Sequence, residues 1–263
     1  MTEARITHIG GPTTLIEVDG WRLLTDPTFD PPGRRYTFGW GSASRKETGP
    51  AVSPAELPPI DAVLLSHDHH GDNLDDLGRS LLPMVGTVVT TVAGARRLGG
   101  NSIGLAPWSV HSLQKPGRPT LQITATPCRH GPPLSRPITG EVTGFALLWE
   151  GQQHGVLWVS GDTVLYNGVR QVGTRFDVGT VLLHLGAVQF GITGPVRYTM
   201  SGPEGVELCE LLHPHTVIPV HYEGWRHFTQ GRDTIEQAFA TASNDVQASL
   251  TWLPIGTPTT LRI

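Results

Sequence analysis

The chain has 263 residues, enough for one large domain or two small ones and for a sizeable hydrophobic core. Charged residues make up 16%, and there are 32 glycines and 22 prolines, which indicates a loop-rich globular protein with short strands rather than a helical bundle or a disordered chain. The formal net charge of -4 supplies no basic stripe, so we expect no nucleic-acid partner.

Targeting signals are not evident. The N-terminus "MTEARITHIGG" lacks the basic and apolar regions of a secretion signal, and no window approaches the roughly 20 apolar residues of a membrane span. Cys128 and Cys209 are the only cysteines, which is too few for a disulfide framework. We therefore expect a cytoplasmic protein without a membrane span, and a homo-oligomer is compatible with the sequence.

The first elements are a hairpin and a long loop. "TTLIEVDGWRLLTDP" predicts two strands around Asp19-Gly20, a dipeptide suited to a tight turn. Residues 28–59 then show little periodicity and many Gly and Pro residues. A loop of this length in a compact domain is usually functional or disordered, and Tyr36, Phe38 and Trp40 favour a folded lid or substrate rim.

Strands and helices alternate in the rest of the chain. "DAVLLSH" is typical of a buried strand, and "NLDDLGRSLL" predicts a helix for which Asn73 is the N-cap. Further strands are predicted at "TVVTT", "WSVHSL", "LQITATP", "TVLLHLG" and "TVIPVHYEG", with a hairpin whose second strand ends at Asp162. Short helices separate several of them, and two final strands close the chain. This order predicts an α/β sandwich of two sheets flanked by helices, as a single domain over residues 1–263.

Histidine and aspartate residues recur where the predicted strands end. His67 follows "AVLLS", His130 follows "LQITATPCR", Asp162 follows "VLWVSG" and His221 follows "TVIPV". Side chains at such ends can meet at one edge of a sheet. His67, His69 and His130 would give three nitrogens with an open position for water, as in catalytic zinc sites. Asp72, Asp162 and His221 would hold a second ion.

These segments resemble the metallo-β-lactamase-fold hydrolases, and within them the branch of ascorbate-phosphate lactonases and N-acyl-phosphatidylethanolamine phospholipase D. The resemblance rests on "THIGGPTTLIEVDGWRLLTDP", "DAVLLSHDHHGDNLDDLGR", "TPCRHGP", "WVSGDT" and "MSGPEGVEL…VIPVHYEGWRHF". It implies an αββα sandwich of two mixed sheets with the metal centre at one edge. It also implies that His67, His69 and His130 bind the first metal, that Asp162 bridges, and that His221 binds the second.

One stretch departs from the family pattern HxHxDH. Here the chain reads "HDHHGDN" from His67, so Asp72 comes one residue late and Asn73 replaces a histidine. Three interpretations stay open. Asp72 ligates after a one-residue bulge while Asn73 caps the helix, His70 substitutes as a ligand, or the second site is weak and the protein holds one metal.

The resemblance implies a hydrolase that uses hydroxide, made available by Zn²⁺ at neutral pH, to cleave a phosphodiester or a lactone. One or two zinc ions are expected, with Mn²⁺ or Fe²⁺ as alternatives. Asp162 would orient the hydroxide, Asp72 would accept a proton and His184 would protonate the leaving group, although His184 suits a buried supporting role equally well.

The other residues of interest have weaker signals. Asp26 and Asp61 are candidates to support the ligating histidines. Cys128 is more typical of a packed side chain than of a ligand. Glu223, Trp225 and His227 suit a pocket rim, the core or the surface.

The substrate is expected to be a small molecule. Arg34, Arg35, Tyr36 and Trp40 on the long loop would suit an anionic or aromatic group. The alternative is a non-catalytic metal-binding or accessory protein of a biosynthetic pathway on the same fold.

Overall fold

The computed structural model describes residues 3–263, which form two large mixed sheets and a separate hairpin. The first sheet has the strand order β15-β1-β2-β3-β6-β7-β8. Its strands are β1 (Glu3–Gly10), β2 (Thr13–Val18), β3 (Trp21–Thr25), β6 (Ala62–Leu64), β7 (Thr87–Thr91), β8 (Ser102–Leu105) and β15 (Thr259–Arg262). Pairing is antiparallel from β15 to β3 and parallel from β3 to β8.

The second sheet has the order β14-β13-β12-β11-β10-β9. Its strands are β9 (Val110–Leu113), β10 (Leu121–Pro127), β11 (Thr143–Leu148), β12 (Val156–Val159), β13 (Val178–His184) and β14 (Thr216–Val220). Here β9 to β12 are antiparallel, and β12, β13 and β14 are parallel. The hairpin consists of β4 (Arg35–Gly39) and β5 (Ser42–Arg45).

The helices are short. They are α1 (Asp76–Leu81), α2 (Val92–Leu98), α3 (Arg136–Thr139), α4 (Asn167–Arg170), α5 (Val172–Arg175), α6 (Gly202–Leu212), α7 (Arg232–Phe239) and α8 (Asn244–Ser249). Single 3₁₀ turns occur at Pro54–Glu56, Leu82–Met84 and Gly191–Thr193.

The two sheets pack face to face over a shared core. Ile6 and Leu23 of the first sheet and Phe145 and Leu182 of the second are fully buried in one apolar cluster. Each such side chain contributes about 1.5–3 kcal/mol of burial free energy. A second cluster joins the outer face of the second sheet to the helices, with Leu208 of α6 as a member. The predicted αββα sandwich of two mixed sheets is confirmed.

The predicted hairpin at Asp19-Gly20 is confirmed, since β2 and β3 pair on either side of it. Asp19 has φ 44° and Gly20 has φ 83°. Two consecutive positive φ angles are what a type I′ turn requires, and this turn matches the twist of the flanking strands.

Residues 28–59 are partly folded, as expected for a long loop that is not disordered. It contains the β4–β5 hairpin and one 3₁₀ turn. Phe38 is buried in an aromatic cluster with Phe190 and Trp225, whereas Trp40 at the tip is 75% exposed. The hairpin therefore has one aromatic residue anchored in the protein and one presented to solvent.

Three local predictions were wrong. Helix α1 begins at Asp76 with Asp75 as its N-cap, because the Asp75 side chain accepts a hydrogen bond from Gly78 N, so Asn73 does not cap it. Strand β12 ends at Val159, three residues before Asp162. The C-terminal region has α8 and one strand, β15, where two strands were expected.

No helix in the described residues has both the length and the apolar content to cross a membrane.

Candidate metal centre

The candidate ligands follow the carboxyl ends of four strands. His67 comes three residues after β6, His130 three after β10, Asp162 three after β12, and His221 directly after β14. All four are buried. The fold therefore brings residues 67, 130, 162 and 221, which are far apart in the chain, to one edge of the sandwich.

The first donor group consists of His67, His70 and His130. Their ring nitrogens lie within 4.8 Å of one another. His70 Nδ1 is 3.0 Å from His67 Nε2 and 3.3 Å from His130 Nε2. Four ligands around a tetrahedral zinc ion with bonds of about 2.0–2.1 Å lie roughly 3.3 Å apart, so this spacing suits one ion.

His69 lies outside this group, contrary to the expectation from the HxH spacing. Its Nε2 donates a hydrogen bond to the Thr139 carbonyl, and its Nδ1 is 3.6 Å from Asp68 Oδ1. Its ring also packs so closely on Gly140 that a Cβ at this glycine would overlap it. Residues 66–71 form bends rather than a strand, so alternate side chains do not point the same way.

The bend over residues 66–71, which turns His70 toward His67, requires the glycine at position 71. A Cβ at Gly71 would lie 2.3 Å from the Tyr36 ring, well inside van der Waals contact. Phe38 packs on the His70 ring with centroids 5.4 Å apart. The β4–β5 hairpin therefore holds "HHGDN" in the conformation that turns His70 toward His67.

The three imidazoles are held in the neutral form. Burial lowers the pKa of His67, His70 and His130, and their mutual repulsion lowers the pKa of His67 and His70 further. His130 Nδ1 donates to the Tyr198 carbonyl at 2.8 Å, which fixes the proton there and leaves a lone pair on Nε2. Neutral imidazoles with convergent lone pairs are the form that binds a metal ion.

The second donor group consists of Asp72, Asp162 and His221, and their donor atoms also lie within 4.8 Å of one another. His221 Nε2 is 3.4 Å from Asp162 Oδ2 and 3.7 Å from Asp72 Oδ2. Asp162 Oδ1 and His221 Nε2 are buried, and within the described part of the chain neither has a hydrogen-bond partner. Buried carboxylates are costly unless paired or bound to a cation, so this group fits a divalent ion.

Asp72 has a further partner, His227, whose place in the pocket rim, the core or the surface the sequence left open. His227 Nε2 lies 2.9 Å from Asp72 Oδ2, and both residues are buried. Burial would raise the pKa of Asp72, but the nearby imidazole of His221 and the hydrogen bond from His227 outweigh it and hold that pKa well below its usual range. His227 lies in an irregular loop, and only its place six residues after His221 could have suggested this contact.

His221 has an unusual backbone conformation, with φ 58°. A non-glycine residue in this region is uncommon and is often found at functional sites. Burial lowers the pKa of His221, but the carboxylates of Asp162 and Asp72 outweigh it and raise the pKa to about 9. The carboxylates of the second donor group therefore favour a positive charge at His221.

His184 and Asp26 lie behind the donor groups. His184 is fully buried, with Nε2 3.5 Å from Asp26 Oδ2 and its ring 5.7 Å from that of His221. Asp26 Oδ1 accepts a hydrogen bond from Ser66 N, directly before His67. Asp61 instead pairs with Lys115 and Arg118, so the supporting role considered for it does not match its position.

Cys128 is half-buried, and its thiol donates to the Ser160 carbonyl at 3.0 Å. Burial raises the pKa of this thiol well above its ordinary value. This favours the neutral thiol over a thiolate ligand.

Two cavities adjoin the first donor group. A narrow cleft of about 20 Å³ is lined by His70, His130 and the aromatic residues Phe38, Phe190 and Tyr198. One water needs roughly 10–15 Å³, so the cleft has room for one. A larger cavity of about 580 Å³ shares His130 as a wall residue, and its lining includes Leu105, Pro127, Arg129, Val142 and Tyr166.

Arg34 on the long loop is paired with carboxylates of the protein itself. Arg34 Nη1 pairs with Asp30 at 3.0 Å and also with Asp76. Arg129, in contrast, has a buried Nε with no hydrogen-bond partner in the region the structure describes, and its guanidinium lies 4.6 Å from the Tyr166 ring centroid. Arg129 and Arg136 both line the large cavity beside His130, and Arg136 is paired with Glu141.

Comparison with known proteins agrees with this geometry. A protein from Pyrobaculum calidifontis, named a UPF0173 metal-dependent hydrolase, is 25% identical over 221 residues, covering 83% of this chain and 84% of its own. A protein of the same name from Opitutus terrae is 28% identical over 226 residues, with the same coverage. These relatives share most of their length with this chain.

Solved structures share the fold. Isothiocyanate hydrolase from Delia radicum gut bacteria superposes with a TM-score of 0.78 at 19% identity, covering 97% of this chain and 98% of that chain. A possible metal-dependent hydrolase from Veillonella parvula gives a TM-score of 0.80 at 18% identity, covering 98% of this chain and 99% of that chain.

The family model for the β-lactamase superfamily domain matches residues 21–222, a range that contains every residue of both donor groups. The chain therefore belongs to the β-lactamase superfamily domain family, and its two mixed sheets have the metallo-β-lactamase fold.

Proposed function

We propose that this protein is a metal-dependent hydrolase that cleaves an ester bond in a small anionic molecule, a phosphodiester in the first place and a lactone as the second candidate. The observation that carries the proposal is the pair of buried donor groups, one of three imidazoles and one with two carboxylates, at the same edge of the sandwich. The names of the curated relatives support it.

In this proposal His67, His70 and His130 hold the first ion, and Asp72, Asp162 and His221 hold the second. Three imidazoles suit Zn²⁺, which we propose for the first position. Divalent ions bound in this way supply Lewis-acid polarisation and lower the pKa of water toward neutrality.

The protein's own residues then position the reactants. Asp162 Oδ1 has no hydrogen-bond partner among residues 3–263, so it is free to accept a hydrogen bond from water. His227 fixes Asp72 through Oδ2 and favours its ionised form, which is the form that holds a cation. Phe38 and Phe190 wall the cleft beside His70 and His130 and limit its solvent.

We assign His184 a positioning role rather than that of proton donor to the leaving group. It lines neither of the two cavities beside His130, and it is buried against Asp26. Through Asp26, which contacts Ser66 N, it supports the backbone from which His67 extends.

The substrate class follows from the large cavity. Arg129 offers a guanidinium for a phosphate or carboxylate, and Leu105, Pro127 and Val142 offer apolar contacts. The Arg129 guanidinium, whose Nε has no hydrogen-bond partner among the described residues, favours a phosphodiester, and the apolar lining also suits the ring of a lactone. We also propose a cytoplasmic location, since two free cysteines suit a reducing compartment.

The test is a panel of aryl phosphodiesters, lactones and an isothiocyanate, assayed with wild type, Asp162→Asn and Arg129→Ala. We expect turnover of a phosphodiester or lactone that Asp162→Asn reduces at least about hundredfold, and a raised KM in Arg129→Ala. Arg262→Ala, an exposed arginine on β15, is the matched control. A metal-loaded protein that turns over no member of the panel would favour the non-catalytic metal-binding alternative.

A further inference from the structure

The large cavity beside His130 has three charged side chains among its described lining residues, which are Arg129, Arg136 and Glu141. Two arginines and one glutamate give this lining a formal charge of +1. The volume of about 580 Å³ lies within the range of small-molecule pockets. Much of the remaining lining is apolar, as at Leu105. The cavity therefore has room for an apolar body and a net charge that matches one anionic group.

The two arginines differ in how their charge is compensated. Arg136 Nη2 donates to Glu141 Oε1, and Glu141 Oε2 accepts a hydrogen bond from Ala93 N at 3.3 Å. Arg129 Nε, in contrast, is buried with no hydrogen-bond partner in residues 3–263, and its guanidinium lies over the Tyr166 ring. The protein itself thus neutralises Arg136, whereas Arg129 is left for an anionic group of a ligand.

The two arginines also belong to different walls of the cavity. Arg129 is held against Tyr166, which packs on the apolar cluster of the second sheet. Glu141 is bonded to the first turn of α2, a helix that contacts β7 and β8 of the first sheet. A ligand whose anionic group binds Arg129 therefore extends toward the pair of Arg136 and Glu141. A second anionic group at its far end would meet the Glu141 carboxylate, and like charges brought together in this way weaken binding.

We infer that Glu141 is a specificity-determining residue, which occupies Arg136 so that the cavity selects ligands with one anionic group over ligands with a second one at the far end. This inference rests on the proposed function, because it concerns substrate selection in the cavity assigned there. Such selection acts by a charge that disfavours the wrong ligand as well as by one that attracts the right ligand. A phosphodiester with an uncharged apolar substituent meets the requirement, whereas a molecule with phosphates at both ends does not.

The experiment compares two rigid probes on the full-length, metal-loaded protein. One is a naphthalene monosulfonate, and the other is the disulfonate with its two charges at opposite ends of the same ring system. Sulfonates stay ionised at neutral pH, bind metal ions weakly and are not hydrolysed. Isothermal titration calorimetry measures both dissociation constants. We expect wild type to bind the monosulfonate at least about tenfold more tightly than the disulfonate.

Variants of the charged pair locate the source of this preference. Glu141→Gln removes the carboxylate charge and leaves Arg136 uncompensated, so it should bind the disulfonate at least about tenfold more tightly than wild type does. Adding Arg136→Ala to Glu141→Gln should abolish that gain, and Arg129→Ala should weaken binding of the monosulfonate. Glu207→Gln, at an exposed glutamate paired with Arg170, removes the same charge elsewhere and should behave as wild type.

Equal affinity of wild type for the two probes would overturn the inference, as would binding of neither probe. An unchanged disulfonate affinity in a folded Glu141→Gln would overturn it too. The wild-type comparison decides the matter even if Glu141→Gln does not fold. Because probe binding requires no hydrolysis, a selective cavity in a protein that turns over no ester would overturn the proposed function alone.

Discussion

His227 Nε2 lies 2.9 Å from Asp72 Oδ2, although 155 residues separate the two in the chain. Asp72 comes from the bend after β6 and His227 from the loop after β14. The contact joins the two sheets at the candidate metal centre. Hydrogen bonds from residues outside the ligand set fix ligand geometry, and their loss typically weakens metal binding or activity by 10–100-fold.

Replacing His227 should therefore weaken the second metal position without emptying the first. We expect His227→Ala to lower affinity for the second metal equivalent and kcat by about 10–100-fold. Metal titration followed by elemental analysis measures the first effect. His154→Ala, at an exposed histidine, is the control. Unchanged binding of the second equivalent would show that His227 only fills space.

His69 and His70 provide a matched pair of adjacent histidines. His70→Ala should lose the first metal equivalent, because His70 Nδ1 lies among the three convergent nitrogens. His69→Ala should keep the metal content of wild type, since His69 Nε2 is bonded to the Thr139 carbonyl. Metal-to-protein ratios after purification measure both. A loss of metal in His69→Ala with retention in His70→Ala would restore the assignment expected from the HxH spacing.

The β4–β5 hairpin should depend on Phe38 and not on Trp40. Phe38 is 6% exposed and packs on His227 with ring centroids 4.9 Å apart, whereas Trp40 is 75% exposed. We expect Phe38→Ala to lower the free energy of unfolding by about 3 kcal/mol and Trp40→Ala to change it by less than about 0.5 kcal/mol. Urea denaturation at neutral pH checks both. Equal losses in the two variants would contradict the anchored position of Phe38.

Asp61 should contribute to stability away from the site. Burial raises its pKa, but hydrogen bonds from Lys115 and Arg118 outweigh it, so the pKa is lowered on folding. Such a group stabilises the fold above its unfolded pKa of about 3.9, and the contribution is lost as the pH falls through the folded pKa. We expect Asp61→Asn to cost about 1 kcal/mol at pH 7, given its partial exposure, and less below about pH 4. Denaturation at several pH values measures this, and a difference that does not vary with pH would contradict it.

Much of the fold was predictable because it depends on periodic or local signals. The Asp19-Gly20 turn, the buried strands before His67 and His221 and the alternation of strands and helices all have such signals. The α1 N-cap was misplaced because Asn73 and Asp75 are both good capping residues two positions apart. Only the position of Asp75 relative to Gly78 decides between them.

The donor groups were predictable in part. Strand ends brought His67, His130, Asp162 and His221 into consideration, and the structure places all four at one edge. The position of His70 rather than His69 within the first donor group was beyond spacing arguments, because it depends on the packing of Tyr36 against Gly71 and of Phe38 against His70. The contact between His227 and Asp72 joins two loops and has no periodic signature.

The most direct test of the central claim is the recovery of hydrolysis with metal content in the full-length protein. Turnover of the best phosphodiester or lactone is measured in protein as purified, after chelator treatment, and after metal is restored, with metal content determined at each stage. We predict that activity disappears on removal of the metal, returns on its restoration, and remains absent in His70→Ala. Undiminished turnover in metal-free protein would contradict the account.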